Sequence, residues 1–222
     1  MRSLERRTVL RGAVAFGLGA ATTAMASCAR GSAPQPGTGN SETSTDRPAT
    51  TVLLAYFSRP GENYWYGDRK DLEVGNSKVI AEMVAAQVDA DIFEIEPEQP
   101  YPHNYAATVE RNRQEQDADA RPKIAGNLPD LGRYRSIILG CPVWNTRAPM
   151  IIRTFLDGAD LSGKTIHPFV TYALGGGRVF ADYAELYRGA TVAEGLAVQG
   201  EEATDAGKVV TQWLTESGLA GR

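Results

Sequence analysis

Two short polar stretches near the start of the folded region have the composition of a phosphate-binding turn. Ser58 and Arg59 follow an apolar run, and Asn76 and Ser77 begin an amphipathic helix just after Gly75. The first amides of a helix lack carbonyl partners within it, and the helix dipole favours an anion there. Both ends of the turn are predicted to converge on one phosphate, with Arg59 either pairing with it or capping the loop. The alternative is a capped helix without a ligand.

A polar insert rich in aromatic residues separates these two stretches. Residues 60–74 exceed what a strand-to-helix turn needs, and they include Tyr64, Trp65 and Tyr66. We predict that the insert loops outward over the site and that its rings form a wall or a lid. Residues 58–77 contain no Gly-Lys-Ser/Thr and no Gly-x-Gly-x-x-Gly, so an ATP site or a common dinucleotide site loses support at this turn.

A second loop, "CPVWNTRAP", could hold a planar ring. Trp144 follows a buried apolar run and offers a flat, rigid surface for stacking, while Pro142 and Val143 supply backbone groups. The alternative is that Trp144 packs beneath the following helix. Cys141 is predicted to be a small buried residue and not a nucleophile, because no cationic neighbour is evident in the sequence.

A third loop, "TYALGGG", follows another apolar run. Its three glycines, Gly175 to Gly177, would let the backbone approach a ligand closely, or would form a flexible connection. The two histidines are not assigned to chemistry. His167 is predicted to be structural, and His103 is predicted to lie solvated in a loop.

Strands and helices alternate five times in the sequence, and this alternation would position the three loops. Predicted strands cover residues 50–58, 90–97, 134–144, 164–174 and 191–200. The pattern predicts an α/β fold with a doubly wound, five-stranded parallel sheet in the order 2-1-3-4-5 and helices on both faces. Ligands of such sheets bind beyond the carboxyl ends of the strands, where all three loops lie. Pro168 predicts a bulge or an irregular start in the fourth strand.

Composition narrows the possible functions. Cys141 is the only cysteine after Cys28, so the folded region cannot contain a disulfide, and two histidines make a zinc site unfavourable. The chain has a net charge of −4. The first 27 residues contain four Arg and one Glu, which leaves −7 for the remainder. An acidic domain is a poor nucleic-acid binder and could dock on a basic partner, or its charge could serve solubility alone.

The N-terminus has the composition of an export signal. Arg6 and Arg7 precede an apolar stretch too short to cross a membrane, which resembles a twin-arginine leader over residues 1–27. "MASC" resembles a lipobox with Cys28 as the lipidated residue, and the alternative is an ordinary cleavable signal. Residues 28–49 would form a flexible tether and residues 50–222 the folded domain. The expected location is the extracytoplasmic side of the membrane, with a lipid at Cys28 as the only membrane contact.

Taken together, the three loops resemble the flavodoxin-like family, whose first loop has the form "YFSR-x-GENY". That motif stands here at residues 56–64, and "YRSIILGCPVW" and "TFLDGADLSGKTIHPFVT" extend the resemblance over nearly the whole domain. The resemblance implies an FMN cofactor. The implied phosphate contacts are Ser58, Arg59, Asn76 and Ser77, and the implied contacts of the isoalloxazine ring are Pro142, Val143, Trp144 and Asn145. Thr171, Tyr172, Gly175, Gly176 and Gly177 would close the far side.

The sequence departs from the family pattern in the third loop. "TYALGGG" stands where a stretch like "TSGGSG" is common, and Ser77 replaces the usual threonine. The third-loop change bears on the redox tuning of the flavin more than on its binding. Tyr172 could be a second stacking partner or could block the pocket.

Three functions are compatible with this pattern. The first is electron transfer through bound FMN to a redox partner protein or a small-molecule acceptor. The second is an NAD(P)H-dependent FMN or quinone reductase, in which the insert forms the wall for a second substrate. The third is a ligand-binding or interaction lipoprotein without flavin. In the two flavin functions the cofactor carries out the chemistry, so no residue is assigned as a nucleophile or base.

Overall fold

A computed structural model describes residues 51–220 of the chain. The predicted export signal, the predicted lipidation site Cys28 and the predicted tether lie outside these described residues, as does residue 50. Within residues 51–220, no helix combines the length and the apolar character needed to cross a bilayer.

The domain is built around one parallel sheet. Its strands are β1 (Val52–Tyr56), β4 (Asp91–Glu94), β5 (Ser136–Pro142), β6 (Thr165–Tyr172), β7 (Thr191–Val192) and β8 (Leu196–Gln199). The order is β4-β1-β5-β6-β7, and β8 also pairs with β6. Since β7 and β8 together occupy the fifth position, this order confirms the predicted 2-1-3-4-5 arrangement.

Within the part of the chain that the structure describes, five helices accompany the sheet. They are α1 (Asn76–Ala85), α2 (Tyr105–Asp117), α3 (Met150–Asp157), α4 (Val179–Leu186) and α5 (Gly207–Glu216). Short 3-10 turns cover Leu131–Arg133 and Gly200–Asp205.

The unbroken apolar run of β1 follows from burial on both faces of the sheet. Successive side chains of a strand point to opposite faces. Leu53 and Ala55 join a core cluster with α3 and α4, whereas Leu54 and Tyr56 join a second cluster with α1 and α5. All five residues of β1 are buried, as expected for the central strand of a covered parallel sheet.

Pro168 does not interrupt the strand that contains it. Strand β6 runs continuously from Thr165 to Tyr172, and Pro168 stands in register with Leu139 of β5. On its other side β6 pairs with β7 only up to Ile166, and with β8 only from Phe169 onward. Because proline has no N–H to donate, the ladder is lost on that side. The prediction of a bulge in the fourth strand is therefore wrong. The missing N–H instead interrupts pairing with the fifth strand, which is divided into β7 and β8.

The insert at 60–74 is a β-hairpin, not an irregular loop. Its strands are β2 (Gly61–Trp65) and β3 (Asp68–Leu72), and they pair antiparallel. The two connecting residues, Tyr66 and Gly67, have φ angles of 46° and 92°. Positive φ at both positions is the geometry of a type I′ turn, whose twist matches that of the flanking strands.

Candidate functional site

A cavity of about 340 Å³ lies at the carboxyl ends of β1, β5 and β6. Its volume is at the small end of the range of ligand pockets. Ten of the predicted site residues line it: Ser58, Arg59, Asn76, Ser77, Pro142, Val143, Trp144, Asn145, Thr171 and Tyr172. The three sequence loops therefore converge on one space, at the sheet edge where ligands of doubly wound folds bind.

One end of the cavity is formed by the start of α1. The backbone N–H of Lys78 donates to Ser58 Oγ at 3.1 Å, which joins the end of β1 to the first turn of the helix. A Cβ at Gly75 would lie 2.4 Å from Ser58 Oγ, so this approach requires glycine. The amides of Asn76 and Ser77 belong to the first turn, which contains no acidic side chain. This end of the cavity is suited to an anion.

A buried hydroxyl pair ties the start of α1 to the end of β6. Ser77 Oγ lies 2.7 Å from Thr171 Oγ1, and both residues are buried. Each hydroxyl can donate to the other or to a ligand. The pair therefore joins two of the three loops at the floor of the cavity.

Arg59 is held by backbone carbonyls of the surrounding loops. Its Nη1 donates to the carbonyl oxygens of Pro102 and His103, each at 3.0 Å, and its Nη2 donates to the carbonyl of Glu62. The side chain is buried, and this burial lowers the pKa of the guanidinium. Its Nε has no hydrogen-bond partner. These contacts favour the loop-capping role of Arg59 that the sequence left open.

The second loop is a tight turn with unusual backbone geometry. Trp144 and Arg147 exchange backbone hydrogen bonds at 2.8 and 3.1 Å, and the two residues between them, Asn145 and Thr146, have φ angles of 48° and 66°. Positive φ is costly for a β-branched residue and is often found at functional sites. Gln116 holds the turn by donating to the carbonyl of Trp144 at 3.1 Å and accepting from Asn145 Nδ2 at 2.8 Å.

Trp144 packs on the core and also forms part of the cavity wall, and its stacking on a ligand stays a prediction. Its ring is half-buried and lines the cavity. It also contacts Phe57 and Tyr101 in edge-to-face geometry, with centroid separations of 5.5 and 4.9 Å. The core thus fixes the ring while the ring remains part of the cavity wall, where it can stack on a planar ligand.

The three glycines of the third loop do not line the cavity. Thr171, Tyr172 and Ala173 do. Gly177 has a φ of 63°, and a Cβ there would lie 2.3 Å from the carbonyl oxygen of Thr146. The next residue, Arg178, donates its N–H to the same oxygen at 2.7 Å. The glycine segment thus joins the third loop to the second, and its direct contact with a ligand stays a prediction.

Helix α2 forms a wall of the cavity that the sequence did not reveal. Tyr105, Thr108, Val109, Asn112 and Arg113 line the cavity. The buried residues of α2 are Thr108 and Asn112, both polar. A helix without an apolar stripe is ordinarily assigned to solvent, but these polar residues stand one turn apart on its inner face. The spacing of these two polar residues by one helical turn is the sequence feature that could have identified this wall of the cavity.

The hairpin is attached to α2 and forms a second wall. Glu62 Oε2 accepts from the backbone N–H of Tyr105 at 2.8 Å and from Asn104 Nδ2 at 2.9 Å. The Arg69 guanidinium lies 3.9 Å from the centroid of the Tyr105 ring. Of the three aromatic residues predicted to form a wall, Tyr64 lines the cavity; the Trp65 ring instead contacts the Lys70 ammonium at 3.7 Å.

The end of the fifth strand contributes two further residues that the sequence did not point to. Gly200 lies so close to α1 that a Cβ would stand 2.4 Å from Asn76 Nδ2. Glu201 is buried, lines the cavity, and accepts from the backbone N–H of Tyr66 at 2.8 Å. This bond joins the tip of the hairpin to the segment after β8.

The cysteine and the two histidines of the described domain all lie outside the cavity lining. Cys141 is buried, with its Sγ 3.5 Å from the Tyr183 hydroxyl, and burial raises the pKa of its thiol to about 12. This confirms the predicted burial of Cys141, and the raised pKa disfavours the thiolate that a nucleophile needs. His103 is exposed and pairs with Asp71 at 3.0 Å, and His167 is buried within β6. Residues 51–220 contain no cluster of His, Cys, Asp or Glu that could hold a metal ion.

The arrangement can hold a flat ring with an anionic tail. Helix amides and hydroxyls form one end, whereas Trp144, Tyr172 and Pro142 contribute flat or apolar surface elsewhere.

Comparison with known proteins points in the same direction. A family model described as Flavodoxin matches residues 72–217, more than half of the chain. A provisionally named flavoprotein from Bacteroides uniformis is 27% identical with a TM-score of 0.59, covering 74% of this chain and 97% of its own. One from Bacteroides eggerthii is also 27% identical with a TM-score of 0.59, covering 75% and 96%.

A flavoprotein from Lactobacillus acidophilus, solved in complex with FMN, is more distant. It is 21% identical with a TM-score of 0.51, and the match covers 71% of this chain and 98% of its own. This likeness supports the fold. No curated protein sequence matches the chain.

Proposed function

The chain belongs to the flavodoxin family, and from this premise we propose that it binds FMN in the cavity beyond β1, β5 and β6 and transfers electrons through it. The observation that carries the proposal is the convergence of the α1 start and the Trp144 turn on one cavity. A single anion-binding end matches the one phosphate of FMN better than the diphosphate of a dinucleotide. The Lactobacillus acidophilus relative, which holds FMN, has the same fold.

The residues present fit this cofactor. The first-turn amides of α1, the hydroxyls of Ser58 and Ser77, and Asn76 would hold the phosphate. Trp144 and Tyr172 would contact the ring, with the turn at 142–145 supplying backbone groups. Asn112 lines this cavity, and its side-chain Oδ1 is buried without a hydrogen-bond partner. A polar ligand in the cavity could satisfy this amide.

Bound FMN would supply the redox chemistry, taking up and releasing electrons at its ring system. The protein would orient the ring and exclude water from it. The first-turn amides and hydroxyls at the α1 end would carry most of the phosphate contacts, because both Nη groups of Arg59 donate to loop carbonyls and only its Nε lacks a partner. The acceptor is then a redox partner protein or a small molecule that reaches the exposed side of the cavity.

The test is the identity of the flavin in the purified full chain. We expect a yellow protein whose denaturation releases FMN, identified by chromatography. Release of FAD would contradict the proposal. A colourless protein that cannot be reconstituted with FMN would favour the ligand-binding or interaction function.

The hairpin favours a second candidate, a reductase that accepts hydride from NAD(P)H and passes electrons to a quinone or similar acceptor. The hairpin wall that contains Tyr64 has no role in electron transfer alone. A reductase, by contrast, needs a wall against which its second substrate can bind. Anaerobic titration separates the two functions. Fast bleaching of the flavin by NADH or NADPH would establish the reductase, and reduction only by one-electron donors would establish the carrier.

The location of the protein is proposed from the leader. A domain loaded with a cytoplasmic cofactor benefits from a route that exports folded proteins, and Arg6 and Arg7 fit that route. Lipid attached at Cys28 would then hold the domain at the extracytoplasmic face. Replacing both arginines with lysine should leave flavin-loaded precursor in the cytoplasm, whereas normal export of this variant would argue for the pathway that exports unfolded chains.

A further inference from the structure

The inner face of α2 carries three polar side chains spaced one helical turn apart. Thr108 Oγ1 donates to the carbonyl of Pro102 at 2.8 Å. The Gln116 side-chain nitrogen donates to the Trp144 carbonyl, and its side-chain oxygen accepts from Asn145 Nδ2. Asn112, between them, is 3% exposed, and its Oδ1 has no hydrogen-bond partner.

An unpartnered carbonyl oxygen at such a buried position costs free energy unless a ligand satisfies it. Asn112 lines the same cavity as the Trp144 turn. A half-turn of a carboxamide exchanges its oxygen and nitrogen with little change of shape, so a ligand can select either end. A ligand that hydrogen-bonds to the Asn112 side-chain amide must therefore present a hydrogen-bond donor, an acceptor, or both side by side.

The position of Asn112 on α2, one turn from Gln116, points to the ring side of the cavity. Its neighbour one turn along, Gln116, holds Trp144 and Asn145, whereas the anion-binding end is built by α1 and β1. The pyrimidine edge of a flavin ring carries one N–H between two carbonyl groups. A carboxamide with a donor and an acceptor is complementary to two adjacent positions on that edge.

We propose that Asn112 recognises the pyrimidine edge of the flavin, accepting from its N–H and donating to a neighbouring carbonyl. The inference rests on the proposed function and deepens it, because it makes α2 the specificity element of the site. Asn112 then selects the ring by its hydrogen-bonding pattern, while the Trp144 turn selects it by shape.

The experiment compares FMN with its N3-methyl derivative, which lacks the N–H. Both are titrated into the full chain stripped of flavin, with flavin fluorescence as the readout. The unaltered protein should bind the methyl derivative at least about tenfold more weakly, on the scale of one buried hydrogen bond. Asn112→Leu should weaken FMN by about tenfold and bring the ratio of the two affinities close to one.

Gln114→Leu is the matched control, since Gln114 lies on the exposed side of the same helix and its amide contacts Glu110. This variant should keep the full preference for FMN. Asn112→Ala removes the amide without adding bulk, and it serves if the leucine variant fails to fold.

Two results would overturn the inference while leaving FMN binding established. One is equal affinity of the unaltered protein for FMN and its methyl derivative. The other is a folded Asn112→Ala variant that keeps the original ratio. Failure of the unaltered protein to bind FMN at all would instead remove the proposed function on which the inference rests.

Discussion

The hydroxyl oxygens of Ser77 and Thr171 lie 2.7 Å apart, although 94 positions separate the two residues in the chain. One belongs to the first turn of α1 and the other to the end of β6. Both are buried, and one hydroxyl donates to the other. The pair fixes the position of the helix start relative to the sheet edge on which the cavity is built.

Removing both members of this pair should destabilise the protein by less than the summed effects of removing each one alone. Ser77→Ala leaves the Thr171 hydroxyl buried without a partner, at a cost of about 1–3 kcal/mol in the free energy of unfolding. Thr171→Val should cost a similar amount, and the double variant should cost less than the two losses added together. Urea denaturation of the flavin-free protein measures all three. Strictly additive losses would show that the two hydroxyls do not interact.

A negative charge at the start of α1 should exclude the phosphate of FMN. In Ser77→Asp two like charges would approach each other in a poorly solvated site and repel by several kcal/mol. FMN affinity should fall by orders of magnitude, whereas affinity for riboflavin, which lacks the phosphate, should fall little. Equal losses for the two flavins would place the phosphate elsewhere.

Shortening Trp144 should weaken FMN binding through loss of stacking. Trp144→Ala is expected to cost about 1–3 kcal/mol in binding free energy, taking the stacking of a base on an aromatic side chain as the scale. Trp144→Phe should retain part of this energy, because it keeps a ring against Phe57 and Tyr101. Isothermal titration of flavin-free variants measures the effect, and an unchanged affinity in Trp144→Ala would assign the residue to the core alone.

The carboxylate of Glu62 should be needed to hold α2 in place. It accepts hydrogen bonds from the Tyr105 amide and the Asn104 side chain, so Glu62→Leu should lower the free energy of unfolding by about 1 kcal/mol, as loss of a helix cap does. Because α2 is a wall of the cavity, FMN affinity should fall as well. Glu62→Gln retains an acceptor and should lose less. Glu73→Leu, at an exposed carboxylate beyond the hairpin, is the control.

The buried Cys141 thiol should make the protein less stable at alkaline pH. Burial raises the pKa of Cys141 to about 12 in the folded state, above the usual thiol value of about 8.5. This contribution to stability is complete below the unfolded pKa and is lost as pH rises from about 8.5 toward 12. Cys141→Ala should flatten the pH dependence of the unfolding free energy over that range. Iodoacetamide at pH 8 should modify Cys141 only after unfolding, tested in a Cys28→Ser background.

The sheet could be predicted from the sequence because its central strands are buried on both faces. Burial of both Leu54 and Ala55 demands an unbroken apolar run, and such runs are visible without a structure. Ser58, Ser77, Trp144 and Thr171 could be placed together because the topology brings the carboxyl ends of neighbouring strands to one edge.

The walls of the cavity could not be predicted in the same way. The hairpin is polar on the outside and owes its position to distant partners such as Glu201 and Tyr105, which no local pattern reveals. Helix α2 faces the site with Thr108 and Asn112, and polar side chains on a helix ordinarily indicate a solvated face. The fifth strand is divided into β7 and β8 because of Pro168 in the neighbouring strand β6. The residues of the fifth strand itself therefore do not predict the division.

The hydrogen bond between the Tyr66 amide and Glu201 spans 135 positions of the chain. During synthesis the hairpin can close as soon as residues 61–72 emerge, since its contacts are local. The complete cavity must wait for Glu201, which emerges 135 positions after Tyr66. A truncated product ending before β8 would carry the turn proposed to bind phosphate and the Trp144 turn but lack this closure. Capture of the proposed cofactor thus becomes a late event in the synthesis of this domain.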